Sequence, residues 1–177
     1  MKRVEWIWQA VGFGVSTLLG TLLHFAYDWS GKSMWVAPFS GINESTWEHM
    51  KLLFWPMLFF AAARRLIGWT RQDFWCVELR SILLGQAMIP LLFYTYNGVI
   101  GKSPDWVNIT IFFLAAGVAY LYDALKFSGE PTKCKRPLLP IALLTVLAAA
   151  FVLFTFCPPP LNVFRDPRST LIRVDKM

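Results

Sequence analysis

The sequence predicts an all-α fold, a polytopic membrane helix bundle of five transmembrane helices, with its N-terminus inside and a C-terminal tail outside. Three observations carry that expectation. First, hydrophobic residues make up 56% of the 177-residue chain and charged residues only 16%, whereas a soluble domain carries roughly a quarter. Second, apolar runs of spanning length recur, since about 20 residues cross roughly 30 Å of hydrocarbon. Third, basic residues gather in alternate loops, as the positive-inside rule requires. The net charge of +6 is therefore read as topology, and no nucleic-acid partner is expected. Membrane lipids are the expected surroundings, with a homo-oligomer or a membrane partner left open.

The first run, over 6–27, follows Lys2 and Arg3. It is too long for the apolar core of a signal peptide, and no small-residue cleavage site follows it, so it reads as an uncleaved span. Gly12, Ser16, Gly20, His24 and Asp28 recur every four residues along it and share one helix face. Small residues at that spacing let another helix approach closely, which turns His24 toward the bundle. The connection 29–43 is rich in Gly, Ser, Pro and aromatic residues and is expected at the outer interface, with a short re-entrant turn about 35–39. The second span, 45–63, is stopped by Arg64 and Arg65. Spans at 81–97, 106–122 and 138–156 complete the single domain, 1–177.

Loop charge orients these spans. Arg64, Arg65, Arg71 and Arg80 lie in one loop and Lys126, Lys133, Lys135 and Arg136 in another, on the side of Lys2 and Arg3. The intervening loops hold Lys32, and Lys102 with Asp105. Trp6, Trp8, Trp69 and Trp75 fall at the inner boundary, and Trp29, Trp35, Trp47 and Trp106 at the outer one, as interfacial belts do. The tail 157–177 opens on Cys157 and three prolines, and its segment 161–175 is expected to fold over the outer mouth, although Arg165, Arg168, Arg173 and Lys176 weigh mildly against an outside location. The three cysteines show no C-x-x-C spacing and read as ordinary small apolar residues, with no disulfide expected.

The second span begins with Asn43-Glu44-Ser45-Thr46-Trp47-Glu48-His49-Met50-Lys51. Reaching spanning length from Arg64 requires including Glu48, His49 and Lys51, and ionisable groups at membrane depth point by default to function. His24 lies three residues before the end of its span and His49 four after the start of the next. Both therefore sit roughly 5–6 Å below the outer boundary, on spans expected to be antiparallel neighbours. Glu44, Glu48 and Lys51 share one stripe, and Ser45 with His49 the adjoining face.

Blander readings exist for each residue. Ser45-x-x-Glu48 fits a capping box, Glu48 with Lys51 fits an interfacial pair with Lys51 snorkelling outward, and His24 fits a buried neutral imidazole. They do not explain why both histidines of the chain reach one depth. Zinc or another divalent metal on His24, His49 and one of Asp28, Glu44 or Glu48, with Glu44 the choice, is one chemistry open to them, since catalytic zinc takes three protein ligands and a water. No H-E-x-x-H pattern supports it. Acid–base catalysis without metal is the other. Catalytic candidates are thus His24, Glu48, His49 and Lys51. Asp28, Asn43, Ser45, Tyr94, Asn97 and Asn108 are candidates for substrate binding. Gly101-Lys102-Ser103 is dismissed as a phosphate loop because Tyr96 stands where glycine is required.

His24-x-x-Tyr27-Asp28, with Asn43-Glu44-Ser45-x-Trp47-Glu48-His49-x-Lys51, resembles a family of small prokaryotic multi-pass membrane proteins carrying a domain of unknown function. Tyr94-Thr95-Tyr96, Phe154-Thr155-Phe156 and Phe164-Arg165-Asp166-Pro167 match its later blocks. The family often has Glu at the place of Asp28 and can have His at that of Pro160. The resemblance implies boundaries and a prokaryotic plasma membrane, and no activity. Three functions fit these residues. The first is a hydrolase or transferase acting on a lipid or amphiphile, with Lys51 and Tyr94 steadying an anionic head group. The second is an ion or small-solute transporter with a path through Gln86, Pro90 and Asp123. The third is a structural or accessory subunit.

Overall fold

The computed structural model describes residues 2–68, 71–136 and 138–167. Trp69 and the tail residues Arg168, Arg173 and Lys176 lie outside the described residues. Five helices follow in order: α1 Lys2–Trp29, α2 Thr46–Leu66, α3 Phe74–Val99, α4 Asp105–Ser128 and α5 Leu138–Phe156. Among the described residues there is no strand, and four helices, α1, α3, α4 and α5, are long and apolar enough to cross a membrane. Composition separates α2 from them, because it carries Glu48, His49 and Lys51 near its start and Arg64 and Arg65 near its end. Its neighbours cover three of those five groups. Glu48, Lys51 and Arg64 are all buried.

Helices α1 to α4 close a ring in which α1 packs on α2 and α4, and α3 on the same two. Helix α5 lies outside the ring against α3, and its Phe151 stacks on Trp47 and Phe54 of α2. The core joins Leu53, Phe54 and Met57 of α2 to Ile82 and Ile89 of α3 and to Ala115, Ala116 and Ala119 of α4. The outward faces of α1 and α5 expose Ile7, Leu18, Leu22, Leu138, Leu143 and Val146, an apolar surface suited to lipid rather than water.

The small-residue stripe of α1 is a packing seam, as its spacing predicts. A Cβ on Gly12 would stand 2.4 Å from the Phe60 ring and 2.5 Å from that of Tyr120. One on Gly20 would stand 2.6 Å from the backbone oxygen of Leu52. Between them Ser16 Oγ and Tyr120 Oη share a 2.6 Å hydrogen bond. Helices α3 and α4 run further toward the Lys/Arg-rich end than hydropathy alone marks, because Glu78 and Asp123 are enclosed by the bundle.

The connection between α1 and α2 is a series of turns over residues 34–39 lying against α2. Ser40 Oγ accepts from Tyr27 N–H and donates to the Leu23 carbonyl, closing the end of α1. Lys51 Nζ and Trp55 Nε1 donate to the carbonyls of Ala37 and Pro38. The chain after α5 folds back through a 3-10 turn, Asn162–Phe164, whose Phe164 ring lies on Trp47. It does cover the end of the bundle where α2 begins.

At the other end the structure corrects the reading of the cysteines. Cys76, in the first turn of α3, is disulfide-bonded to Cys134 beyond α4, while Cys157 is free and exposed. The partners are 58 residues apart, so only the return of α4 beside α3 brings them together. Beside them Arg71 pairs with Asp73 at 2.7 Å and donates to the carbonyls of Lys126, Phe127 and Gly129. Burial would raise the Asp73 carboxyl, but hydrogen bonds from Arg71 and Thr132 prevail and hold it below its ordinary range.

Candidate functional site

The last turns of α1 and the first of α2 meet at one depth, and Glu44, just ahead of α2, stands between their histidines. His24 Nε2 is 3.7 Å from Glu44 Oε1, and His49 Nε2 is 3.6 Å from Glu44 Oε2. The imidazole centroids are 5.7 Å apart. Each side chain is between a fifth and a third exposed, from 21% for His49 to 30% for His24. Local sequence fixes this geometry. The close approach at Gly20 brings α1 onto α2 one turn below His24. At Gly41 the connecting chain passes within ordinary contact of the His24 ring, a Cβ there standing 3.6 Å from Nδ1.

His49 Nδ1 lies 2.9 Å from the Ser45 carbonyl. A carbonyl only accepts, so Nδ1 carries the hydrogen and Nε2 turns toward Glu44. In the neutral form of the ring that places a lone pair opposite a carboxylate oxygen. The 3.6 and 3.7 Å separations exceed a hydrogen bond, which leaves room for a proton-bearing group or a cation between the partners. Metal-binding histidines commonly donate their second N–H to a carbonyl in this way. Even so, among the described residues no group of three His, Cys, Asp or Glu side chains is arranged to hold a metal ion.

The bridge opens into a groove of about 390 Å³ between α1, α2 and α4. Phe25, Leu52, Ile109, Phe112 and Phe113 form its apolar walls, with His24, Glu44, His49, Asp105 and Asn108 at its polar end. A second hollow beside it shares Glu44, Asp105 and Asn108 and reaches Asn97, Lys102 and Pro167 of the returning tail. Along this rim Ser103 Oγ donates to Asn108 Oδ1 at 2.8 Å and accepts from Asn97 Nδ2 at 3.3 Å.

The candidates divide into four groups. His24, His49, Glu44, Asn97 and Asn108 converge on the groove and its rim. Glu48 and Lys51 form a separate buried pair, 2.7 Å apart. Glu48 Oε2 accepts from Ile42 N–H, and Lys51 also donates to Thr155 Oγ1. Lys51 is wholly enclosed, so it does not snorkel outward and stands apart from the groove lining. Ser45 caps α2 by accepting from Glu48 N–H, and Asn43 Oδ1 accepts from Ser45 N–H. Asp28 and Tyr94 are exposed and do not line either hollow.

Sequence reasoning passed over Ser103 and Asp105. Its only signal was Ser103-Pro104-Asp105 opening α4, three residues before Asn108. It also missed a second cluster at the Lys/Arg-rich end. There Arg64 Nη1 meets Glu78 Oε1 at 2.9 Å, Nη2 meets Glu5 Oε2 at 3.5 Å, and the guanidinium lies over the Phe127 ring. Turning the Gln9 amide lets its oxygen accept from the same guanidinium at 2.9 Å.

No curated protein and no solved structure matches this chain. A family model does match, over residues 1–171, in keeping with an uncharacterised family: the protein belongs to DUF6512, a family of unknown function.

Proposed function

We propose that this is a five-span protein of a prokaryotic plasma membrane, with its Lys/Arg-rich end in the cytoplasm, acting as a hydrolase or transferase on a lipid or other amphiphile. One observation carries the reading: two imidazoles face opposite oxygens of one carboxylate at the polar end of an apolar groove. The aromatic and aliphatic walls suit an acyl or isoprenoid chain, and the polar end would receive the head group. One histidine would take the proton of the attacking hydroxyl or water while the other, protonated, gives one to the leaving group, with Glu44 stabilising whichever imidazole is charged. Alternatively, His24, His49 and Glu44 would close on zinc or a similar divalent ion and lower the pKa of its water. Glu48 and Lys51 would hold the start of α2 in place.

Metal content of the detergent-purified protein, beside His24→Ala and His49→Ala, separates these chemistries. Stoichiometric metal lost from both variants selects the metal route, and a metal-free but folded wild type selects acid–base chemistry. Thermal shifts with a panel of single-chain and two-chain amphiphiles then test the groove. A wild type that none of them stabilises would overturn the amphiphile reading.

The second reading is an ion or small-solute transporter, favoured by Gln86, whose buried amide nitrogen and oxygen both lack a partner. Solute flux in proteoliposomes, reduced by Gln86→Leu, would select it. If neither flux nor turnover is found, an accessory role for the bundle follows.

A further inference from the structure

Asp123 lies on α4, fully enclosed, on the Lys/Arg-rich side of the bundle and away from the groove. Its Oδ2 is 2.8 Å from Ser81 Oγ of α3, and the same hydroxyl oxygen is 2.9 Å from the carbonyl of Ala119. A serine hydroxyl donates one hydrogen, and a backbone carbonyl donates none. If Ser81 donates to Ala119, its oxygen can receive a hydrogen only from Asp123. The opposite assignment, with Ser81 donating to an ionised Asp123, sets bare lone pairs against each other at Ala119. It also leaves a buried, charged Oδ1 with no partner, which is far worse than an unpartnered neutral carbonyl.

Charge balance points the same way. The groups around Asp123 are Glu78 of α3, Arg64 of α2, Glu5 of α1 across the guanidinium, and Tyr120 one turn back on α4. Arg64 already faces two carboxylates at 2.9 and 3.5 Å. An ionised Asp123 would be a third beside that cation in a sealed interior.

We propose that Asp123 is a proton-binding site: it carries a proton on Oδ2 and donates it to Ser81 Oγ, which donates its own hydrogen to Ala119. The ligand is a proton, and its release would force Arg64 to be shared with a third carboxylate. Occupancy of this site is thereby linked to the Arg64–Glu78 contact, independently of what the groove binds.

Infrared spectroscopy of the purified full chain at neutral pH tests this through the C=O stretch of a protonated carboxylic acid, which ionised carboxylates lack. The expected result is a band in wild type that disappears in Asp123→Asn and weakens in Glu78→Gln, where Arg64 has one carboxylate fewer to balance. Carbon-13 labelling of the aspartate side chains reads the same thing in unsubstituted protein, should the asparagine variant misfold. The band should then shift to lower frequency. Absence of the band, its persistence in folded Asp123→Asn, or its failure to shift in labelled wild type would each overturn the proposal.

Discussion

The two ends of the bundle hold ionisable groups in opposite states. At the Lys/Arg-rich end Arg64 is buried, lies against Glu78 at 2.9 Å, and is capped by the rings of Phe74 and Phe127. A disulfide and the Arg71–Asp73 clasp close the chain around it. At the other end His24, Glu44 and His49 stand no closer than 3.6 Å, partly exposed at the mouth of a groove. Groups that complete their contacts inside the protein serve the fold. On the function proposed above, the partly exposed groups at the opening are the ones that would take a ligand.

The largest expected effect is therefore at the sealed end. Arg64→Met removes the cation between Glu5 and Glu78 and should cost about 3–5 kcal/mol, the range for breaking a buried pair from one side. Thermal unfolding in detergent measures it. Adding Glu78→Gln to the same chain should recover part of the loss, because a neutral amide no longer needs the cation. A cost below about 1 kcal/mol for Arg64→Met would mean that water reaches the cluster and the contrast between the ends is false.

That cluster also shows where sequence reading stopped. Counting residues from the span ends placed His24 and His49 at one depth, and the structure puts their rings 5.7 Å apart. The same counting applied to Glu5, Arg64, Glu78 and Asp123 would have gathered the inner cluster. The arginines read equally as loop charges, and Glu5 lies outside the apolar run, so nothing local marks them as one cluster. The seam on α1 was legible because four-residue spacing of small residues has one geometric meaning. The direction of Lys51 was not, since i,i+3 pairing with Glu48 fits both a snorkelling and a buried lysine. Only the turn carrying the Ala37 carbonyl, together with Thr155 of α5, decides between them. The disulfide needed the pairing of α3 with the exit of α4, which no local spacing encodes.

Disulfide removal ranks next. Cys76→Ser should lower stability by about 2–4 kcal/mol if the bridge closes a long loop in the unfolded chain. Orientation can be read from the same residue. Disulfides persist outside the reducing cytosol, whereas the positive-inside rule, applied to the basic loops beside Cys76 and Cys134, expects this end within it. The proposed topology therefore expects both thiols to be reduced in intact cells and the bridge to form on purification. Labelling with a membrane-impermeant maleimide, before and after lysis, checks this. Labelling of intact cells only after reduction with an impermeant phosphine would invert the topology.

A smaller effect is expected at the seam. Gly20→Ala drives a methyl into the Leu52 carbonyl, 2.6 Å away, and backbone cannot swing aside as a side chain can. A loss of about 1–3 kcal/mol follows from such overpacking. Gly14→Ala is the control on the same helix. Nothing lies within 4 Å of its added Cβ, so it should be neutral or stabilising by up to about 1 kcal/mol, as alanine favours helix over glycine. Equal losses at both positions would show that α1 does not pack through this stripe.

The smallest stability change belongs to the groups proposed to act. Glu44→Gln keeps the shape of the side chain at a position that is 25% exposed and removes only its charge. Its contacts to the two imidazoles exceed hydrogen-bond length, so the fold should lose no more than about 0.5–1 kcal/mol. Stabilisation by an amphiphile or by a metal should nevertheless fall sharply, because both depend on the carboxylate that holds the histidines together. His49→Ala should behave alike, apart from losing the bond to the Ser45 carbonyl. A Glu44→Gln chain that unfolds as readily as Arg64→Met would place this bridge with the structural pairs. One that keeps full stability and loses its ligand response would separate the two ends of the bundle by role.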